Sequence, residues 1–293
     1  MNNYLKGIID YERYLDVTKK KRSKKYNWVN SIIVYAFPYA GYTEKQKELK
    51  YLPASFAKGY DYHNFVAEEI EKLLSFEHLT KRYKILVDID FLDEKQVAQI
   101  AGLGQIGKNN LLLTKEFGSR VYLGTVVTEE KLEEHFIQNQ NLCLNCTVCI
   151  DKCPSKALST SMENCLSRLS QVDSVIFEQY DNLQTYYGCD VCQDVCPLNT
   201  NNFEYFKQAN LLEKSVLNIN TEYLNNYENL IDNHLDQTMN WIKNERFLRN
   251  VLVVGYNNKA LTKNDLKKVQ PKTEWLKQHI EYLLKKDDEN GNN

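Results

Sequence analysis

Eight cysteines constrain this chain more than any other feature, because all of them lie between Cys143 and Cys196. The first block reads Cys143-Leu-Asn-Cys146-Thr-Val-Cys149-Ile-Asp-Lys-Cys153-Pro154. The second reads Gly188-Cys189-Asp-Val-Cys192-Gln-Asp-Val-Cys196-Pro197, with Cys165 alone between the two. The first block has the spacing C-x2-C-x2-C-x3-C-P. The second repeats it with its first cysteine missing, and Cys165 can stand in for that position.

Three chemistries compete for such thiols. Disulfides belong to short secreted scaffolds, and this chain is long, shows no secretory signal and spaces its cysteines too tightly. Zinc takes paired C-x2-C units, but the triple C-x2-C-x2-C followed by x3-C-P is an iron–sulfur spacing, in which the fourth cysteine serves the other cluster. Its near-repeat doubles the argument. Eight cysteines then make two complete sets of four. We read two 4Fe-4S clusters, one on Cys143, Cys146, Cys149 and Cys196 and one on Cys153, Cys165, Cys189 and Cys192.

The rest of the chain bounds the setting. At 293 residues it can bury a sizeable core in two or three domains. A net charge of −2 excludes a uniformly basic nucleic-acid binder while allowing a local basic patch. No apolar run approaches a membrane span, and the N-terminus has no signal-peptide core, so the expected setting is the cytoplasm, with no membrane partner.

Taken in order, residues 4–16 read as a helix, followed by the basic run Lys19-Lys-Lys-Arg-Ser-Lys-Lys25, either a solvated loop or a phosphate contact. Ser31–Phe37 is a buried strand ended by Pro38. Thr43–Lys50 is a loop or short helix. A helix follows Asp61, which suits an N-cap; Tyr62 and His63 open it. Lys84–Ile89 is a strand with Asp88 near its end, where carboxylates are displayed into crevices. Asp93 and Glu94 start the next helix, since negative charge favours a helix N-terminus. Gly102-Leu-Gly104-Gln-Ile-Gly107-Lys108-Asn109 follows a helix rather than a strand, so it is no nucleotide fingerprint; it suits a loop whose backbone closely approaches a bulky cofactor. In the strand Val121–Val127, Gly124 marks a bulge or close approach. Residues 203–287 lack cysteine and read as helices at 203–212, 223–230, 236–256, 263–269 and 272–284, with a frayed tail from Lys285.

Several of these pieces together resemble the epoxyqueuosine reductase family: Gly59-Tyr-Asp61-Tyr62-His63, the strand ending Val87-Asp88, Ala101 through Asn109, Gly118-Ser119, Leu123-Gly124 and both cysteine blocks. The resemblance runs from about residue 10 to 200. It implies an α+β fold: a nitroreductase-like cobalamin-binding core over 1–135, a bacterial ferredoxin-like domain with two 4Fe-4S clusters over 136–202, and a shortened HEAT-like helical region over 203–293. The implied activity is the cobalamin-dependent reduction of epoxyqueuosine to queuosine in the tRNA anticodon stem-loop. The implied partners are that tRNA and an external low-potential donor such as flavodoxin or ferredoxin, acting on a monomer. Asp88 matches the family's catalytic aspartate, a general acid that must hold a proton near neutral pH. Tyr62, His63, Asp88, Gly102, Gly104, Gly107, Lys108, Asn109 and Gly124 are the implied cobalamin contacts. Departures exist: the small residue and proline usual after the aspartate are missing, which makes Asp90 a rival acid, and Gln105 stands where an aromatic is usual. The alternatives are a reductive dehalogenase-like cobalamin enzyme, which usually carries an export signal, and a non-enzymatic two-cluster electron-transfer protein, which would leave the first 135 residues idle.

Overall fold

The computed structural model describes residues 4–49, 51–77, 79–89, 91–136, 141–143, 145–199, 224–225, 237–242 and 244–290. The chain divides into two compact units, each assembled from three separated stretches. One comprises Met1–Gly41, Tyr62–Cys149 and Gln193–Phe206; the other comprises Tyr42–Asp61, Ile150–Cys192 and Lys207–Asn293.

The first unit is built on a four-stranded antiparallel sheet, ordered β1 (Leu5–Asp10), β2 (Ser31–Pro38), β6 (Val121–Thr128), β3 (Tyr83–Leu86). Every residue of β2 is buried, as its β-branched and aromatic composition requires when both faces are covered. Ile32, Val34 and Ala36 face a core shared with α1 (Tyr11–Thr18) and α4 (Glu94–Ile100), including Tyr14, Val97 and Ala98. On the other face Phe37 meets Phe65 of α3 (Tyr62–Glu77), ring centroids 6.2 Å apart.

The helix expected over residues 4–16 is a strand followed by a helix. Asp10 makes the switch: its backbone is extended, and its carboxylate accepts the Glu12 N–H at 2.7 Å, capping α1. Gly7 and Ile9 point inward on β1, and a Cβ on Gly7 would lie 2.7 Å from that of Ala101. The basic run is stitched down rather than solvated throughout. Lys20 Nζ donates to Tyr14 OH at 3.0 Å, and Arg22 donates to the Val29 carbonyl at 2.8 Å and lies over the Tyr11 ring.

The second unit is held by the helices α8 (Asn244–Asn257), α9 (Lys263–Lys268) and α10 (Glu274–Asn290) packed with the turns of the cysteine region. One short helix, α2 (Glu44–Lys47), has a capping box between Thr43 and Gln46. Polar side chains of α8 do much of the joining. Asn250 Nδ2 donates to the carbonyls of Ser170 and Tyr186 at 2.8 and 2.9 Å. Arg249 is fully buried, donates to the carbonyls of Leu169 and Val172, and sits 3.9 Å from the Tyr180 ring centroid. The frayed tail expected from Lys285 is helical as far as Asn290. The helix expected at 203–212 and most of that at 223–230 lie outside the described residues. The helix expected from 236 starts at Asn244, after a single 3-10 turn at Thr238–Trp241. Among the described residues, no helix is long and apolar enough to cross a membrane.

Candidate functional site

Asp88 lies two residues beyond β3, with φ +50°. That left-handed backbone is uncommon for a residue with a side chain, though Asp tolerates it better than most, and such strain concentrates at functional sites. The turn is held from both ends. The Asp88 N–H donates to Glu94 Oε1 at 3.1 Å, and Tyr62 OH donates to Asp88 Oδ2 at 3.0 Å. His63 Nε2 lies 3.8 Å from the same oxygen. Tyr62 and His63 occupy the first turn of α3, while Glu94 opens α4 behind its N-cap Asp93, whose side chain accepts the Gln96 N–H. Two helix starts therefore hold one residue, α3 at its carboxylate and α4 at its backbone N–H.

The rings continue into the unit as a stack. His63 lies on Tyr62 at 4.0 Å between centroids, Tyr62 on Tyr122 at 4.7 Å and 3° between planes, and Tyr122 on Tyr39 at 4.5 Å.

The electrostatics divide two roles between the carboxyls. The His63 hydrogen bond holds Asp88 below its ordinary value, against an opposing pull from desolvation and with Tyr62 adding to the lowering. Burial pushes Glu94 up to about 8, with the Asp88 N–H pulling it down and the Asp88 charge pushing it further up. In the chain by itself the carboxyl that keeps its proton at neutral pH is thus Glu94, not Asp88. Reading Glu94 only as a helix-start residue missed this, because the N-terminal position was visible in the sequence while the burial was not. Asp90 lies outside the described residues.

Within the chain itself the glycine loop serves a helix stop and a tight hairpin. Gly102 (φ +76°) ends α4: its N–H donates to the Gln99 carbonyl, and Leu103 N–H to that of Ala98, the double hydrogen bond of a Schellman stop. Gly104 lies against the Leu113 backbone where β4 (Gln105–Ile106) pairs with β5 (Leu112–Leu113), and Gly107 lies against the Leu113 side chain. Asn109 is buried and accepts the Leu111 N–H through Oδ1. The bulge expected at Gly124 is not formed, since the β2–β6 register is unbroken from Ser31↔Thr128 to Pro38↔Val121. The close approach at Gly124 is by α3, with Val66 and Ile70 lying 2.5 and 2.7 Å from where a Cβ would be.

Lys108 faces the first cysteine block. Its N–H donates to Cys143 Sγ at 3.5 Å and its Nζ to the Cys146 carbonyl at 2.9 Å. Gln105 Oε1 accepts the N–H groups of Leu142 and Cys143 at 2.8 and 3.4 Å. The hairpin therefore grips the thiol loop from its own unit.

Cys143, Cys146, Cys149 and Cys196 fall in the first unit; Cys153, Cys165, Cys189 and Cys192 fall in the second. The electrostatics follow the same grouping. Burial raises Cys196, and Cys143 and Cys146 raise it further, while Arg120 lowers it. Burial pushes Cys189 up to about 12, with Asp190, Cys165 and Cys153 also raising it. Among the described residues no three His, Cys, Asp or Glu side chains are placed to hold a single metal ion. A cubane spreads its thiolates over four irons, one apiece, and so suits thiols that neighbour one another without converging on a point. Cys143 and Cys146 neighbour Cys196, and Cys153 and Cys165 neighbour Cys189, as that demands. Sequence reasoning passed over Gln193 and Asn199. The former donates to the Ser119 carbonyl at 2.9 Å, and Asn199 Oδ1 accepts the Ser119 N–H at 2.8 Å, which ties the end of the second block to the start of β6.

Fold and thiols together define a mixed α+β protein with a two-cluster iron–sulfur domain, and residues 142–199 match the family described as the 4Fe-4S double cluster binding domain. The likeness narrows further among curated proteins. The chain is 38% identical over 170 residues to an epoxyqueuosine reductase of Lactococcus garvieae, covering 53% of this chain and 48% of that protein. It is 33% identical over 183 residues to one of Prochlorococcus marinus, covering 58% of each. The chain spans about half the length of the curated relatives it matches. Among solved structures, an epoxyqueuosine reductase bound to an epoxyqueuosine-modified tRNA-Tyr stem loop superposes with TM-score 0.79 at 22% identity, over 96% of this chain and 86% of that one. A Bacillus subtilis epoxyqueuosine reductase, whose catalytic aspartate loop is swung out of its active site, superposes with TM-score 0.74 at 20% identity, over 96% and 94%. At these identities the structures establish the fold.

Proposed function

We propose that the chain is an epoxyqueuosine reductase, acting in the cytoplasm on the anticodon stem-loop of tRNA with cobalamin and two 4Fe-4S clusters. The observation that carries this reading is the carboxyl site at Asp88, in the same compact unit as four of the eight thiols, in a chain similar to reductases of that name. Deoxygenation breaks both epoxide C–O bonds, leaves an alkene and releases the oxygen as water, consuming two electrons and two protons. The clusters deliver electrons singly, drawn from an external low-potential donor of the flavodoxin or ferredoxin class.

Bound cobalamin supplies the strongly reducing chemistry at the epoxide. The residues that could meet a flat macrocycle are Tyr62 and His63, half-buried beside the Asp88 carboxyl, with Tyr122 and Tyr39 stacked on behind them in the core. Asp88 moves the proton at its Oδ2, oriented by Tyr62 OH and the neighbouring His63. Glu94, pushed up to about 8 by burial, fixes the Asp88 backbone by accepting its N–H, which holds the turn that presents the Asp88 carboxyl. The test is to incubate purified, cluster-loaded chain with cobalamin, a reductant and epoxyqueuosine-containing tRNA, and to analyse the nucleosides by mass spectrometry. Queuosine is expected; unchanged epoxyqueuosine would sink the proposal.

A further inference from the structure

Each thiol set has a backbone N–H donor to sulfur, Leu198 to Cys196 in the first and Val191 to Cys189 in the second, and the two differ in the charged side chains that act on them. At the first set, Lys108 donates its N–H to Cys143 Sγ at 3.5 Å and places its ammonium 2.9 Å from the Cys146 carbonyl oxygen. Arg120, only 12% exposed and paired with Asp194, acts on Cys196 as a positive charge. At the second set, Asp190 is next in sequence to Cys189, is 9% exposed and acts on that thiol as a negative charge. Its carboxylate is fixed by Ser55, which donates through its N–H at 2.6 Å and its hydroxyl at 3.0 Å.

Reducing a 4Fe-4S core adds one negative charge to a centre already anionic through its thiolates. Donors to the sulfurs and nearby cations stabilise the added charge, and a fixed carboxylate opposes it. The carboxylate acts more strongly for being sheltered from solvent, whereas an exposed lysine is partly screened.

We propose that the cluster on Cys143, Cys146, Cys149 and Cys196 has the higher reduction potential of the two, so that the first electron taken up by the chain settles there. The proposal rests on the assignment of the thiols to two sets. Each step is a one-electron reduction of an oxidised cluster by a low-potential one-electron donor, which is oxidised by one electron; no covalent bond is made or broken. This ordering makes Lys108 and Asp190 positioning residues for charge.

The experiment is a reductive titration of the full chain, reconstituted with iron and sulfide and followed by electron paramagnetic resonance. Wild-type chain is expected to reduce in two separate one-electron steps. Lys108→Met should lower the upper step alone, by about tenfold in the reduction equilibrium or about 59 mV for a one-electron couple. Lys108→Arg should restore it, and the shift should shrink as salt is added. Asp190→Asn should raise the lower step and narrow the gap. If losing the Ser55 contacts prevents that variant from folding, the Lys108 pair decides alone. Coincident steps, or a Lys108→Met shift that is absent or falls on the lower step, would overturn the ordering. Iron and sulfide contents that account for fewer than two clusters would overturn the thiol assignment beneath it.

Discussion

The two compact units solve the same problem, holding four thiols each, by different means. In the first, the frame is a backbone ladder, and Lys108 and Gln105 of the β4–β5 hairpin grip the thiol loop. β2 is fully buried, β6 runs beside it in unbroken register, and the functional groups sit on the turns and helix starts at the sheet's edge. In the second, side chains replace the ladder: Asn250, Asn257 and Arg249 of α8 hydrogen-bond the carbonyls of the irregular segment after Cys165. The difference teaches where chemistry can be placed. A ladder leaves its loop termini available to carry strained or titrating residues such as Asp88 and Glu94. A unit in which buried polar side chains satisfy the loop carbonyls has little such latitude, because each of those donors is itself costly to disturb.

The largest expected effect separates chemistry from scaffold. Asp88→Asn should slow turnover by roughly 10²- to 10⁴-fold, the usual range for removing a general acid, while leaving both clusters in place by visible absorption. Wild-type turnover would remove Asp88 from the mechanism and return Asp90 to consideration.

The next breaks the symmetry between the thiol sets. Cys146→Ala and Cys189→Ala should each lose about half of the bound iron, since one missing ligand disables one cluster of two. Cys146 is exposed, whereas Cys189 packs against the core of the second unit. Only Cys189→Ala should therefore also speed amide hydrogen exchange along α8. Equal exchange in the two variants would show that the second set is no more embedded than the first.

The smallest concerns Glu94, whose value near 8 lies above the ordinary 4.5. Between those limits the unfolded chain has released a proton that the folded chain retains, so this contribution to stability falls as pH rises from about 4.5 towards about 8. In Glu94→Gln the fall should be absent, a difference of order 2–4 kcal/mol across the window. It can be read from urea midpoints at a series of pH values. Parallel pH profiles in the two proteins would mean that Glu94 is ionised throughout.

How far the sequence reached varies with how local each cause is. The strand at Ser31 was visible because a β-branched and aromatic run leaves few alternatives, and α4 because Asp93 and Glu94 mark its start. β1 was misread: Leu5, Ile8 and Ile9 fit a helical face, and only pairing with β2, more than twenty residues away, makes Leu5–Asp10 a strand. The glycines at 102–107 did announce close approach, and within the chain Gly104 and Gly107 are approached by their own hairpin, which spacing alone does not reveal. Asp88 was singled out by its place near the end of a strand, while the lowering of its pKa depends on His63 and Tyr62 from a distant helix. The exchange of roles with Glu94 is a matter of tertiary burial and left no mark in the sequence.

The scattered make-up of the second unit bears on the order of events during assembly. Its core draws on Tyr51, on Leu166 to Tyr187 and on α8 to α10, so it cannot close until the last of these has been synthesised. All four of its cysteines leave the ribosome well before α8 does. In the closed unit Cys153 is buried and Cys165, Cys189 and Cys192 are half-buried. The core that packs on Cys189 is therefore completed only after all four thiols of its unit have been synthesised.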